Sequence, residues 1–146
     1  MTFTKFLRSS FILVLLAGVA GCDFGTATPT SPDQTAVQYS QTDLTVGTGA
    51  EATAGKTASV QYTLWLYSET GPDKKGSQLQ AGQFAYVVGS TNTIKGFDMG
   101  VTGMKVGGVR RLIVPPSLAY GATGNQTGEI KPNAALVFEV SLINVQ

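Results

Sequence analysis

The sequence predicts an α+β domain in which an antiparallel sheet curls around one short helix. Three observations predict it. Residues 59–66 and 136–142 alternate between apolar and polar side chains at a period of two. Residues 96–102 repeat at helical spacing, but the segment is too short to stand alone. Gly107-Gly108 and Pro115-Pro116 punctuate the chain between these stretches.

In chain order, residues 1–21 read as an export signal. Lys5 and Arg8 form a charged start, residues 11–20 an apolar core, and Val19-Ala20-Gly21-Cys22 a small-residue cleavage site. An apolar run of about ten residues falls well short of the ~20 that span a membrane. Those four residues resemble the lipobox of bacterial lipoproteins. The resemblance implies that Cys22 becomes the first residue, that its sulfur is acylated, and that the protein is lipid-anchored in the bacterial cell envelope, facing the periplasm or exterior. Asp23 then resembles an inner-membrane retention signal. A plain secretory signal that happens to carry a cysteine is the alternative. Cys22 is the chain's single cysteine, so no internal disulfide is available.

Residues 22–42 are rich in Thr, Ser, Pro, Gln and Ala and poor in large apolar groups. Such a stretch buries too little surface to offset its ordering entropy and is expected to act as a flexible tether. Residues 43–146 are enough for one domain with a single core.

Charge excludes several function classes. Losing Lys5 and Arg8 from ten basic residues leaves eight against nine acidic ones. No polybasic field draws nucleic acid. Lys105, Arg110 and Arg111 are expected as a solvated edge. Histidine is absent, which excludes the commonest general base, the usual zinc sites and any His-dependent triad. No cofactor or metal is expected.

Within the domain, residues 43–46 read as a short edge strand. Residues 59–66 put Val60, Tyr62, Leu64 and Leu66 on one face. Residues 83–88 and 109–114 are β-branched and aromatic in character. Phe97, Val101 and Met104 align on one face of the short helix, whose Gly96, Gly100 and Gly103 each weaken it by ~1 kcal/mol relative to alanine. Gly107-Gly108 reads as a hairpin turn. Pro115-Pro116 ends the strand before it. Residues 136–142 align Leu136, Phe138, Val140 and Leu142.

Several segments together resemble the FK506-binding (FKBP-type) peptidyl-prolyl isomerases: Val60-Gln61-Tyr62-Thr63, residues 84–89, Ile94-Lys95-Gly96-Phe97-Asp98-Met99-Gly100-Val101, residues 103–108, Leu118-Ala119-Tyr120-Gly121 and residues 132–140. The resemblance runs through nearly the whole domain. It implies the FKBP fold, an antiparallel half-barrel sheet wrapped round one short helix, with proline-containing polypeptides as substrates and a possible macrolide ligand. It also implies a pocket in which Tyr62, Tyr120 and Phe138 serve the isomerisation while Leu79, Gln80, Phe84, Thr93, Ile94 and Phe97 contact substrate. Phe97 is the floor, at a position often tryptophan in the family. The Ile94 N–H and the Tyr120 hydroxyl are donors to the bound peptide's carbonyls. For each aromatic, plain core packing is the other reading.

The sequence departs from the family after Leu66. Where many members carry Phe-Asp, one register sets Leu79-Gln80 and another Gly76-Ser77, and the following bulge shortens to Ala81-Gly82-Gln83. Leu79 is then an apolar wall and Gln80 a polar partner for Tyr62.

Such a pocket needs no nucleophile. Rotating a peptide bond costs ~18–20 kcal/mol because conjugation is lost at the perpendicular geometry. A catalyst has only to favour the twisted amide over the planar one. The expected function is therefore rotation of X-Pro bonds in exported proteins. A non-catalytic FKBP-fold chaperone of the envelope is the alternative. The glycine-rich loop 120–133 lacks the P-loop pattern and is expected as a mobile flap over the pocket.

Overall fold

The computed structural model describes Gln34 and residues 36–146. The expected signal sequence, Cys22 and most of the expected tether lie outside the described residues.

Five strands and one α-helix form the domain: β1 (Ser40–Thr45), β2 (Thr57–Tyr67), β3 (Lys75–Val87), α1 (Lys95–Val101), β4 (Val109–Val114) and β5 (Leu136–Val145). They build one antiparallel sheet in the order β1-β4-β5-β2-β3. It remains open, with β1 and β3 at its edges, and α1 lies against its concave face. The fold is α+β.

The period-two alternation sets this arrangement. Val60 and Leu64 of β2 and Leu136, Phe138, Val140 and Leu142 of β5 all turn into the core. Phe97, Val101 and Met104 meet them from the helix side and are almost fully buried. A seven-residue helix has too few internal hydrogen bonds to persist alone, so this apolar stripe holds it. Its glycines do more than weaken it. A Cβ on Gly96 would come within 2.3 Å of Val114 Cγ1, and one on Gly100 within 2.3 Å of Leu112 Cδ1. They let the helix lie directly on β4.

Three sequence expectations change. β1 begins at Ser40, not at residue 43, because Ser40, Gln41 and Thr42 pair with Ile113, Leu112 and Arg111. Just upstream, the Gln34 amide donates to the Tyr67 carbonyl at 3.0 Å and accepts from the Ala135 N–H at 2.7 Å. Contact with the domain thus starts inside the stretch expected as tether. β3 begins at Lys75, not near residue 83. Residues 75–82 have little strand character, but β2 offers them a partner from Tyr67↔Lys75 onward, and pairing outweighs propensity. Gly107, at φ +86°, makes a tight turn from the helix into β4 and not a hairpin between strands. The turn closes on Gly47, whose Cβ would sit 2.2 Å from the Lys105 carbonyl oxygen.

Of the basic cluster, Lys105 is exposed as expected, but Arg110 and Arg111 are not a solvated edge. Arg110 pairs with Asp43 at 2.6 Å and donates to the Gly100 carbonyl, joining β4, β1 and the helix. Arg111 bonds Glu139 at 3.1 Å and Asp73 at 2.9 Å. Lys75 reaches Glu139 at 2.6 Å while lying 4.4 Å over the Trp65 ring. Burial alone would raise the Glu139 pKa, but Lys75 and Arg111 together outweigh it and hold the carboxyl below its ordinary value.

Candidate functional site

A cavity of about 670 Å³ opens where α1, β2, β3 and β5 converge. Each wall follows from the alternation of its strand. Tyr62 and Leu64 come from β2, Gln80 and Phe84 from β3, Phe138 from β5 and Phe97 from α1. Thr91, Asn92, Thr93 and Ile94 enter from the segment before the helix, and Ala119 and Tyr120 from the turn after Pro116–Leu118.

Phe97 forms the floor and is nearly inaccessible. Its ring centroid lies 5.3 Å from Phe138 at 71° and 5.6 Å from Phe84 at 36°. Phe84 and Phe138 therefore flank one hollow above Phe97. Tyr62 closes another side, edge-on to Phe84 at 5.5 Å and to Phe97 at 6.1 Å. Offset and edge-to-face pairs of this kind add roughly 0.5–1.5 kcal/mol each beyond burial. They hold the walls apart at fixed angles.

Beside the aromatic rings the cavity is lined by the polar side chains of Gln80, Thr91, Asn92, Thr93 and Lys95. No carboxylate lines it, and Lys95 is its one charged side chain. Among the described residues, the Ile94 N–H and the hydroxyls of Tyr62 and Tyr120 have no hydrogen-bond acceptor in the protein. Burial, with a smaller contribution from Tyr120, raises the Tyr62 pKa, so its hydroxyl stays protonated and able to donate.

Eight of the nine expected pocket residues meet at this cavity: Tyr62, Gln80, Phe84, Thr93, Ile94, Phe97, Tyr120 and Phe138. Leu79 does not. The ladder passes from Leu64↔Gln80 to Trp65↔Gln78, so Leu79 is the unpaired residue of a bulge. It packs against the main core instead. The register that aligned Gln80 with the pocket holds, and Gly76 and Ser77 lie away from it. No hydrogen bond joins Gln80 to Tyr62, contrary to expectation, so the side chain borders the cavity without tying its tyrosine.

Sequence reasoning missed a supporting pair beneath the site. Tyr86 stacks on Phe84 at 5.5 Å and 29°, and burial, reinforced by the Asp98 carboxylate, pushes its pKa far up. Its buried hydroxyl nonetheless lacks a partner in hydrogen-bonding geometry. Asp98 Oδ1 accepts instead from the Gly89 N–H at 2.9 Å. The signal for Asp98 was its place beside Phe97 in the family-like segment 94–101. Loop 120–133 is also more structured than expected. Asn125 and Ile130 bond reciprocally at 3.0 Å, Asn133 N donates to Gly121 O, and Ile130 is anchored in the core.

The sequence profile described as FKBP-type peptidyl-prolyl cis-trans isomerase matches residues 49–143. The chain belongs to that family. An FK506-binding protein of Neisseria meningitidis is 43% identical over 103 residues, covering 70% of this chain and 92% of that protein. The 46 kDa FK506-binding nuclear protein of Spodoptera frugiperda is 44% identical over 105 residues, which is 71% of this chain but only 24% of the longer relative. Among solved structures, a peptidyl-prolyl cis-trans isomerase from Pseudomonas syringae superposes with a TM-score of 0.62 at 30% identity, covering 80% of this chain and 83% of that one. FkpA from Escherichia coli gives 0.61 at 27% identity over 74% of this chain and 48% of its own.

Proposed function

We propose that this FKBP-type domain accelerates cis–trans rotation of X-Pro bonds in exported polypeptides, held at a membrane surface by an acylated Cys22. One observation carries the catalytic reading. The Ile94 N–H and the Tyr120 hydroxyl border the aromatic hollow with no acceptor of their own.

The proline ring sits over Phe97 between Phe84 and Phe138. The planar amide is polar and loses polarity as it twists. A dry aromatic wall therefore raises the planar form's free energy more than the twisted one's, which lowers the barrier between them. The Ile94 N–H and Tyr120 hydroxyl bind carbonyls flanking the imide and fix the chain while the bond turns. No proton is transferred and no bond is made. The same hollow is suited to an FK506-like macrolide, whose apolar ring would take the place of proline.

Gln80 favours a second reading, a holding module that binds proline-bearing segments with little turnover, because this side chain leaves Tyr62 untethered.

The test is isomerisation of a short X-Pro peptide followed with wild type, Tyr120→Phe and Phe84→Ala. Catalysis predicts clear acceleration by wild type, weakened several-fold by Tyr120→Phe and more by Phe84→Ala. Identical background rates in all three samples would refute it, and suppression of client aggregation in that case would point to the holding module. Fatty-acid labelling that persists in Cys22→Ser would refute the anchor.

A further inference from the structure

β3 is an edge strand with little of the usual protection. It runs thirteen residues, Lys75–Val87, and pairs on one side only, with β2. From Gly76 to Val87 it carries no charged residue and no proline. Among the described residues, no backbone hydrogen bond reaches residues 76–86 from its other side. Natural sheets blunt such edges with charges, prolines, short strands, bulges or covering segments. The bulges of β3, at Leu79 and between Lys75 and Gln78, are confined to its first half and leave Gln80–Val87 regular. The opposite edge follows that rule: β1 is six residues long and carries Asp43, paired to Arg110.

The exposed edge adjoins the cavity. Gln80 and Phe84 of β3 line the hollow from its concave face, so a chain leaving the cavity on that side meets the strand's open N–H and C=O groups. We propose that β3 is a docking edge for the polypeptide whose X-Pro bond occupies the cavity, an extended flank of which adds to the sheet as a sixth strand. This rests on the isomerase reading and extends it to the substrate: a segment extended beside its proline, selected through backbone hydrogen bonds and largely indifferent to side chains.

A second copy of the chain is the less suitable occupant. Side chains on the outer face of β3, Gln78, Ala81, Gln83 and Ala85, are small or polar, with an exposed Val87 at its end. A stable dimer buries about 1,200–2,000 Å² around an apolar centre. β3 offers backbone hydrogen bonds without such a centre.

The test uses the full chain and four peptides. The first is the tetrapeptide Ala-Leu-Pro-Phe. The second carries a six-residue Thr-Ser-Val-Thr-Ser-Val flank before it. The remaining two repeat that flank with backbone N-methyl groups on one alternating set of residues or on the other. Affinity is read by titration and β3 protection by amide hydrogen exchange. The flank is expected to tighten binding by roughly tenfold, the net effect of two or so added hydrogen bonds. One N-methylated set loses that gain and the other keeps it, because only one set faces the strand. Residues 76–87 gain protection with the active peptides. Turnover of the tetrapeptide with no gain from the flank, or equal behaviour of both N-methylated sets, overturns the docking edge and leaves the isomerase reading intact. Binding of the flanked peptide without turnover of any peptide keeps the edge and removes the catalysis. Concentration-dependent dimers that already protect residues 76–87 would assign the edge to a second copy and overturn the proposal.

Discussion

The Asp98 carboxylate, one residue beyond the floor of the cavity, accepts a hydrogen bond from the Gly89 N–H at 2.9 Å. Gly89 opens the segment that delivers Thr91, Asn92, Thr93 and Ile94 to the site. One helix thus supplies the floor through Phe97 and anchors a wall through Asp98. Asp98→Ala is expected to raise KM for an X-Pro peptide about three- to tenfold and to leave kcat within about twofold, with a stability loss of about 1 kcal/mol or less because the bond is exposed. Asp98→Asn keeps an accepting oxygen and should restore most of the KM. Unchanged KM in the alanine variant would separate this bond from the site.

Gly96 tests how closely the helix must lie on the sheet. Alanine favours a helix by ~1 kcal/mol over glycine. At this position its Cβ would meet Val114 Cγ1 at 2.3 Å and the Leu118 carbonyl oxygen at 3.2 Å. Val114 is β-branched and buried, so it cannot swing aside without strain. Gly96→Ala should therefore lower stability by a net of about 1–2 kcal/mol in chemical denaturation. A gain in stability would show that the helix has room to move.

Acid sensitivity should trace to the convex face. The folded-state pKa of Glu139 lies below its ordinary value, held there by Lys75 and Arg111 against burial. Its ion pairs therefore contribute fully above an unfolded pKa of about 4.3. They lose that contribution as the pH falls through the lower folded pKa. Glu139→Gln should lower stability at pH 7 by about 1 kcal/mol, a figure reduced for partial solvent screening. The gap from wild type should narrow towards pH 3. Melting curves between pH 7 and pH 3 check this, and parallel curves would exclude Glu139 as a source.

Legibility in the sequence followed the kind of force at work. β4 was read with its observed bounds, and the helix to within one residue, because their patterns report directly which side is buried. Residues 75–82 were not read as strand, since Gly76, Ser77, Gln78 and Gly82 form one only because β2 lies alongside. The aromatic walls were visible because large apolar groups leave a regular trace and a family pattern. Asp98 was invisible because its role is one hydrogen bond to a backbone group nine residues earlier. Arg110 and Arg111 were misjudged for a related reason. Their partners Asp43, Asp73 and Glu139 are distant in sequence and adjacent only once the sheet has formed. Leu79 was displaced from the site by a single-residue bulge, which alternation cannot reveal.

The central claim is that this hollow turns an X-Pro bond by holding it, without transferring a proton. The protein has no histidine, no carboxylate lines the cavity, and Tyr62 is held protonated by burial. The most direct measurement is kcat/KM for a short X-Pro peptide from pH 6 to 9, repeated in D2O. The account predicts acceleration over the uncatalysed rate that is flat across this range, with a solvent isotope effect near unity. A bell-shaped profile with a substantial isotope effect, or no acceleration at any pH, would contradict it.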